Sequence, residues 1–143
     1  MITTCTHDIS EMQPFVEAAF LLDTDLLNYY DKGENVTSTQ QACDNVMAKI
    51  KHNYPDAKCI GFYDNYNPVG YYVYMPELLI SFGLNKNFRN SLYLDEFWKS
   101  IKQSLGDKFD CLLYSYNTRA INWLKKCGMV TTIENITVLT TKS

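Results

Sequence analysis

The stretch from residue 58 to residue 84 does most to limit what this chain can become. It holds three strand-like runs in close succession: Lys58-Cys-Ile-Gly-Phe-Tyr63, Val69-Gly-Tyr-Tyr-Val-Tyr-Met75 and Leu78-Leu-Ile-Ser-Phe-Gly-Leu84. Asp64-Asn-Tyr-Asn-Pro68 lies between the first two, and these residue types favour a tight reversal. The pair therefore reads as an antiparallel hairpin. Pro76 ends the second run, because proline has no N–H for a ladder. The third run is apolar on both faces, the pattern of a central strand covered from both sides. Gly83 near its end marks either a bulge or a close backbone approach.

The rest of the chain offers the helices. Residues 2–6 read as a short strand. Asp8 and Glu11 have capping-box spacing before a helix over 9–20, with Ile9, Met12, Phe15, Val16 and Phe20 inward and Pro14 loosening its start. Asp23 or Thr24 caps a short helix, Asp25 to Asp31, ended by Lys32-Gly-Glu-Asn35. Thr37 and Ser38, followed by Gln40 and Gln41, cap a helix to about Asn53, with Ala42, Val46, Met47 and Ile50 inward. Beyond the three strands, Leu94, Phe97, Trp98, Ile101 and Leu105 mark a helix over 88–105, stopped by Gly106. Phe109 to Tyr116 is a strand, and a strand–helix–strand succession predicts a right-handed parallel crossover. Asn117 caps a last helix, Thr118 to Cys127, with Ala120, Ile121, Leu124 and Cys127 inward. Two strands, 129–133 and 136–141, turn at Glu134-Asn135. The order is β-α-α-α-β-β-β-α-β-α-β-β. It predicts an α/β chain of α+β type: a central mixed, mostly antiparallel sheet with helices on both faces, in a single domain, 1–143.

Composition narrows the function. With 143 residues, 46% of them apolar, the chain can bury a real core and is not disordered, collagen-like or a disulfide miniprotein. No apolar run approaches the roughly 18 residues needed to span a bilayer. The first residues lack the basic and apolar segments of a signal peptide, so a soluble protein of the reducing cytoplasm is expected. Five cysteines, Cys5, Cys43, Cys59, Cys111 and Cys127, form no CxxC pair. They read as small buried hydrophobes, and no metal site is expected. A pI near 5.3 argues against a nucleic-acid binder. Residues 1–48 hold eight acids and one base, net −7, and residues 49–143 hold eight acids and twelve bases, net +4. A solvated acidic face is the ordinary reason for such a split.

The element order, with Asn117-Thr-Arg-Ala-Ile-Asn-Trp-Leu-Lys-Lys-Cys-Gly-Met129 and Leu84-Asn-Lys-Asn-Phe-Arg89, resembles the GNAT family of acetyl-CoA-dependent N-acetyltransferases. The resemblance implies acetyl-CoA between the fourth and fifth strands. It makes Leu84, Lys86, Arg89, Asn90, Ser91 and Asn117 the cofactor-binding candidates. It also implies an acceptor site on the first helices, where the N-terminal acids would steer a cationic amine.

Three family duties lack their residues. The glycines of the family's Arg-x-x-Gly-x-Gly run, where backbone N–H groups cradle a pyrophosphate, are Leu92 and Leu94 here. A side chain at such a position is expected to crowd a phosphate. The tyrosine that protonates the leaving thiolate is Leu124. The carboxylate that deprotonates the amine matches Leu78, with Glu77 one residue away and so on the other face of a strand. Glu77 and Tyr116 are the weak catalytic candidates, and Tyr114 is a further substitute.

Residues 117–128 also look like small GNAT-like virion proteins of short-tailed bacteriophages. The residues thus favour a non-catalytic GNAT-like module with a protein partner, such as another virion protein, and no nucleic acid or membrane span. Tyr29, Tyr30, Tyr63, Tyr66, Tyr71, Tyr72 and Tyr74 are its candidate anchors. The alternative is an N-acetyltransferase acting on an amine. A third reading keeps coenzyme A as a ligand without turnover.

Overall fold

The computed structural model describes residues 2–29, 36–113, 117–133 and 137–141. Seven strands, β1 (Ile2–His7), β2 (Lys58–Asp64), β3 (Asn67–Met75), β4 (Leu78–Leu84), β5 (Asp110–Leu113), β6 (Met129–Ile133) and β7 (Thr137–Thr141), form one sheet. Its order is β1-β2-β3-β4-β5-β7-β6. Every pairing is antiparallel except β4 with β5. The helices are α1 (Gln13–Phe20), α2 (Thr39–Asn53), α3 (Ser91–Leu105) and α4 (Thr118–Lys126).

Local chemistry accounts for the elements. Asn65 and Tyr66 both take positive φ, 49° and 71°, which suits the twist of a two-residue hairpin turn. β3 begins at Asn67, earlier than expected. Pro68 is tolerated because Phe62 faces Gly70 and Tyr63 faces Pro68, leaving Val69 as a bulge. The first helix divides in two. Asp8 and Glu11 form their capping box on a 3-10 turn, Ile9–Glu11, and α1 restarts with Pro14 in its first turn, where the missing N–H costs nothing. A 3-10 stretch, Thr24–Tyr29, stands where a short helix was expected, and its stop at 32–35 lies outside the described residues. Ser38 caps α2 by accepting the Gln41 N–H at 3.1 Å. α3 starts at residue 91 rather than 88, because Asn90 Oδ1 accepts the Tyr93 N–H and sets the cap there.

Two cores lie back to back across the sheet. On one face α1 and α2 bury Met12, Phe15, Val16, Cys43, Met47 and Ile50 against Tyr71 and Val73. On the other, Phe97 and Ile101 of α3 and Leu124 of α4 bury Phe62, Tyr72 and Leu79. The expected double covering is thus present. Gly83 proves to be a close approach: a Cβ there would lie 2.9 Å from the Ala19 Cβ, so its absence lets α1 settle on β4.

A cleft between two parting strands

Among the described residues β4 and β5 pair only through Leu78–Asp110 and Leu79–Cys111. Immediately beyond, β4 bulges. Val73 faces Ser81 and Tyr74 faces Leu79, so Ile80 has no partner. A bulge bends its strand and re-aims side chains. Here Ile80 packs with the α1–α2 core, and the Ser81 Oγ lies 2.8 Å from the Tyr71 Oη on that same face. The gap between the parted strands holds a cavity of about 760 Å³. It reaches both helical layers, touching Val46 and Ile50 of α2 and Phe97 and Trp123 on the opposite side.

The polar groups on its wall share a character. Lys49, Arg89, Arg119 and Lys126 bring positive charge, and Asn45, Asn53, Asn117 and Asn122 bring amides. No carboxylate or imidazole lines it among the described residues. Of the N-terminal acids, Asp8 and Glu11 are engaged with each other's backbone in the capping box, and Asp44 accepts a hydrogen bond from Gln40. The expected steering of a cationic amine by acids therefore has no counterpart on the described wall.

One acid is placed differently. Asp23, expected as a helix cap, is 2% exposed and receives two guanidinium groups. The Asp23 Oδ2 lies 2.8 Å from the Arg89 Nη1 and 2.7 Å from the Arg119 Nη2. The Arg119 Nη1 donates to Oδ1 at 3.3 Å, so that pair is bidentate. Burial alone would raise the Asp23 pKa. The hydrogen bonds from Arg119 and Arg89, together with their charges, overcome it and hold the carboxyl below its ordinary value. Arg89 also donates from Nε to the Leu84 carbonyl at 2.8 Å and from Nη2 to the Ala19 carbonyl at 3.5 Å. It thereby joins the end of β4, the end of α1 and Asp23. Arg119 sits in the first turn of α4, where a cation opposes the helix dipole, and the Asp23 carboxylate offsets that.

The structure separates the expected site residues. Leu84, Arg89 and Asn117 line the cavity, whereas Lys86, Asn90 and Ser91 do not. Asn90 and Asn117 serve as helix caps. Asn85 is taken up locally as well, accepting from the Asn87 N–H at 3.0 Å and donating to the Ala18 carbonyl at 2.7 Å. Leu92 stands out to solvent, 66% exposed, and so does not block the cleft, while Leu94 lines it. Leu124 is core. Glu77 occupies the β3–β4 turn at a φ of 65°, away from the cavity wall. Tyr114 and Tyr116 lie outside the described residues, as does Tyr30.

The candidate anchors are corrected in part. Tyr71 and Tyr72 are buried, and the Tyr72 hydroxyl is held by Ser100 and Ser104, whereas Tyr66 at the hairpin tip is 96% exposed. Cys5 is exposed, against the expectation of burial, while Cys43, Cys59 and Cys111 are buried. Sequence reasoning missed Asp23, Arg119, Ser81 and Lys49. The available signals were an arginine in the first turn of a helix and the acids Asp23 and Asp25 set between Leu21-Leu22 and Leu26-Leu27.

No family model matches the sequence, and no curated protein matches it. Solved structures do. The PaiA N-acetyltransferase of Thermoplasma acidophilum, solved in complex with coenzyme A, superposes on 100% of this chain and 99% of its own with a TM-score of 0.63 at 14% identity. The chain has the GNAT fold. A GNAT-family acetyltransferase of Streptococcus agalactiae covers 99% of this chain and 95% of its own, with a TM-score of 0.64 at 9% identity. One from Staphylococcus aureus covers 99% and 98%, with a TM-score of 0.62 at 15% identity. At such identities the likeness concerns the GNAT fold alone. Among the described residues no helix is long and apolar enough to cross a membrane. No group of three or more His, Cys, Asp or Glu side chains among them could hold a metal ion.

Proposed function

We propose that the chain is an acyl-CoA-dependent N-acyltransferase that acts on an amine in the cleft between β4 and β5. One observation carries this reading: the two strands part after two residue pairs and open a cavity of ligand size, about 760 Å³, walled by cations and amides over an apolar floor. Those groups fit an anionic, amide-bearing thioester, which Arg89, Arg119 and Asn117 would hold. When bound, acetyl-CoA supplies an activated acyl group.

The chain's own residues have simpler tasks. Phe82 and Trp123, with ring centroids 5.5 Å apart, keep water from one wall. Ser81, backed by the Tyr71 hydroxyl at 2.8 Å, is the protic pair beside the bulge and can hold or pass a proton there. With no carboxylate or imidazole on the described wall, the acceptor amine must reach the cleft uncharged or lose its proton to water.

The test is thermal unfolding with acetyl-CoA up to the millimolar range. Ligand at about 100 times its Kd stabilises by roughly 2.7 kcal/mol, which raises the Tm by about 5–10 °C for a chain this size. Arg89→Ala should lose that ligand-induced shift, measured from its own baseline. Ser81→Ala should keep the shift and slow thioester loss in an amine screen. No shift at millimolar acetyl-CoA overturns the reading.

A second reading is a non-catalytic GNAT-fold module that serves a protein partner, such as another component of a phage particle. The likeness of residues 117–128 to phage virion proteins supports it. So does the engagement of Arg89 by the Asp23 carboxylate, which satisfies that charge within the chain. Absence of an acetyl-CoA shift, together with a partner captured from phage-infected cells, would favour it.

A further inference from the structure

The Asp23 cluster presents a contradiction. The cavity wall is built for a negative ligand, with positive charge and amides and no described carboxylate. Yet two of its four cations, Arg89 and Arg119, already converge on one oxygen of a buried carboxylate, at 2.8 and 2.7 Å. Asp23 is no part of the wall. It belongs to the link between α1 and the Thr24–Tyr29 turn, and reaches the arginines from behind. Two guanidinium groups sharing one oxygen, with a third N–H on the second oxygen, is the arrangement a phosphate oxygen would receive.

We propose that Asp23 is a built-in anion that holds the two guanidinium groups a ligand's diphosphate would take, and that a diphosphate-bearing ligand binds in the cleft by displacing it from them. The exchange puts one oxyanion in place of another at the arginines, and the freed Asp23 carboxylate turns to water as its link loosens. It has a mechanical consequence. Leu26, three residues beyond Asp23 on the same turn, lines the cavity, and the Leu26 N–H donates to the Asp23 carbonyl at 3.0 Å. Releasing the carboxylate loosens the wall formed by the Thr24–Tyr29 turn. Filling the anion position thereby changes the cavity wall at Leu26. The inference rests on the cleft reading only in taking the cleft as the ligand's place; whether acyl transfer follows is a separate matter.

The test is calorimetric titration of wild type and Asp23→Asn with inorganic pyrophosphate and, separately, with coenzyme A. The amide keeps the shape and removes the charge, so the variant should bind pyrophosphate at least tenfold more tightly than wild type. Equal or weaker binding by the variant overturns the proposal. A gain for coenzyme A but not for pyrophosphate also overturns it, since the diphosphate is then not the group in exchange. Hydrogen exchange on wild type at saturating pyrophosphate gives an independent reading. Amides of 23–29 should exchange faster while the start of α3 is unchanged or slower, and unaltered exchange over 23–29 in the bound protein counts against displacement. If Asp23→Asn does not fold and wild type binds no pyrophosphate at 50 mM, the proposal also falls, for Asp23 is then a structural group and not an exchangeable one. The two readings remain distinguishable. A variant that gains pyrophosphate while neither protein responds to acetyl-CoA upholds the exchange and removes the transferase. A wild type that turns over acetyl-CoA with no gain in the variant does the reverse.

Discussion

Removing the Asp23 carboxylate should cost stability, and the structure sets the size. Taking away one partner of a buried ion pair typically costs about 3–5 kcal/mol, because the other charge is stranded. Here the survivors are not fully stranded: Arg89 and Arg119 are 26% and 34% exposed and can regain water. Arg89 also keeps its bonds to the Leu84 and Ala19 carbonyls. The discounted cost of Asp23→Ala is therefore about 2–3 kcal/mol. Unfolding entropy near 2.1 cal/mol/K per residue makes about 0.3 kcal/mol/K for 143 residues, so the Tm should fall by about 7–10 °C. The loss has a pH signature. Burial raises the carboxyl pKa, but the arginine hydrogen bonds and charges outweigh it and leave the native value lowered. A lowered native pKa gives stability that is complete above the unfolded value, about 3.9, and is lost as pH falls through the native one. The Tm gap between wild type and Asp23→Ala should thus stay constant from pH 7 to about 5 and narrow below about 4. Calorimetric scans of both proteins across that range measure it. A gap under 2 °C at pH 7, or one as wide at pH 3 as at pH 7, would refute the reading of Asp23 as a paired, ionised group.

Other residues give sharper, smaller tests. Gly61→Ala should destabilise by about 1–3 kcal/mol through overpacking, because a Cβ there would lie 2.4 Å from the Phe15 ring, itself held between His7 and Tyr63; urea unfolding reads the loss, and Phe15→Leu should recover part of it. Burial pushes the thiols of Cys43 to about 12 and of Cys59 and Cys127 to about 11, and raises Cys111 as well. Iodoacetamide at pH 7.5 should therefore alkylate Cys5 first in the native protein and all five cysteines in urea, as mass spectrometry would show. Leu124→Tyr, which restores the family's proton donor in sequence, should destabilise by about 1–3 kcal/mol and bring no gain in acetyl transfer over wild type, because that side chain is fully buried. Asn90→Ala should cost about 1 kcal/mol by removing the cap on α3, seen as a lower urea midpoint.

The parts of the fold that periodicity and turn chemistry control are legible in the amino-acid order itself. The 58–84 strands, the α3 stripe through Phe97 and Ile101, and the caps at Ser38 and Asn117 follow from nearest-neighbour physics, and the structure has them. The misplaced boundaries share a cause, since each turns on a competition that a pattern does not weigh. Pro14 could loosen one helix or begin another, and Pro68 could belong to the turn or begin the strand beside a bulge. The site is less legible because its decisive contact is non-local. Asp23 and Arg119 are 96 residues apart, and no periodicity links them. A buried acid and an arginine in a first helical turn are each unfavourable alone, and each becomes intelligible only when the other is found. The same reasoning bears on function. A family pattern marks positions where a ligand touches the chain, so Leu92 and Leu94 read as losses. Leu92 points to solvent, however, and two arginines of the cavity wall are paired with Asp23, outside any pattern. Whether the cleft accepts a diphosphate depends on the free energy of exchanging one oxyanion for another at Arg89 and Arg119, a quantity that no glycine count could have supplied.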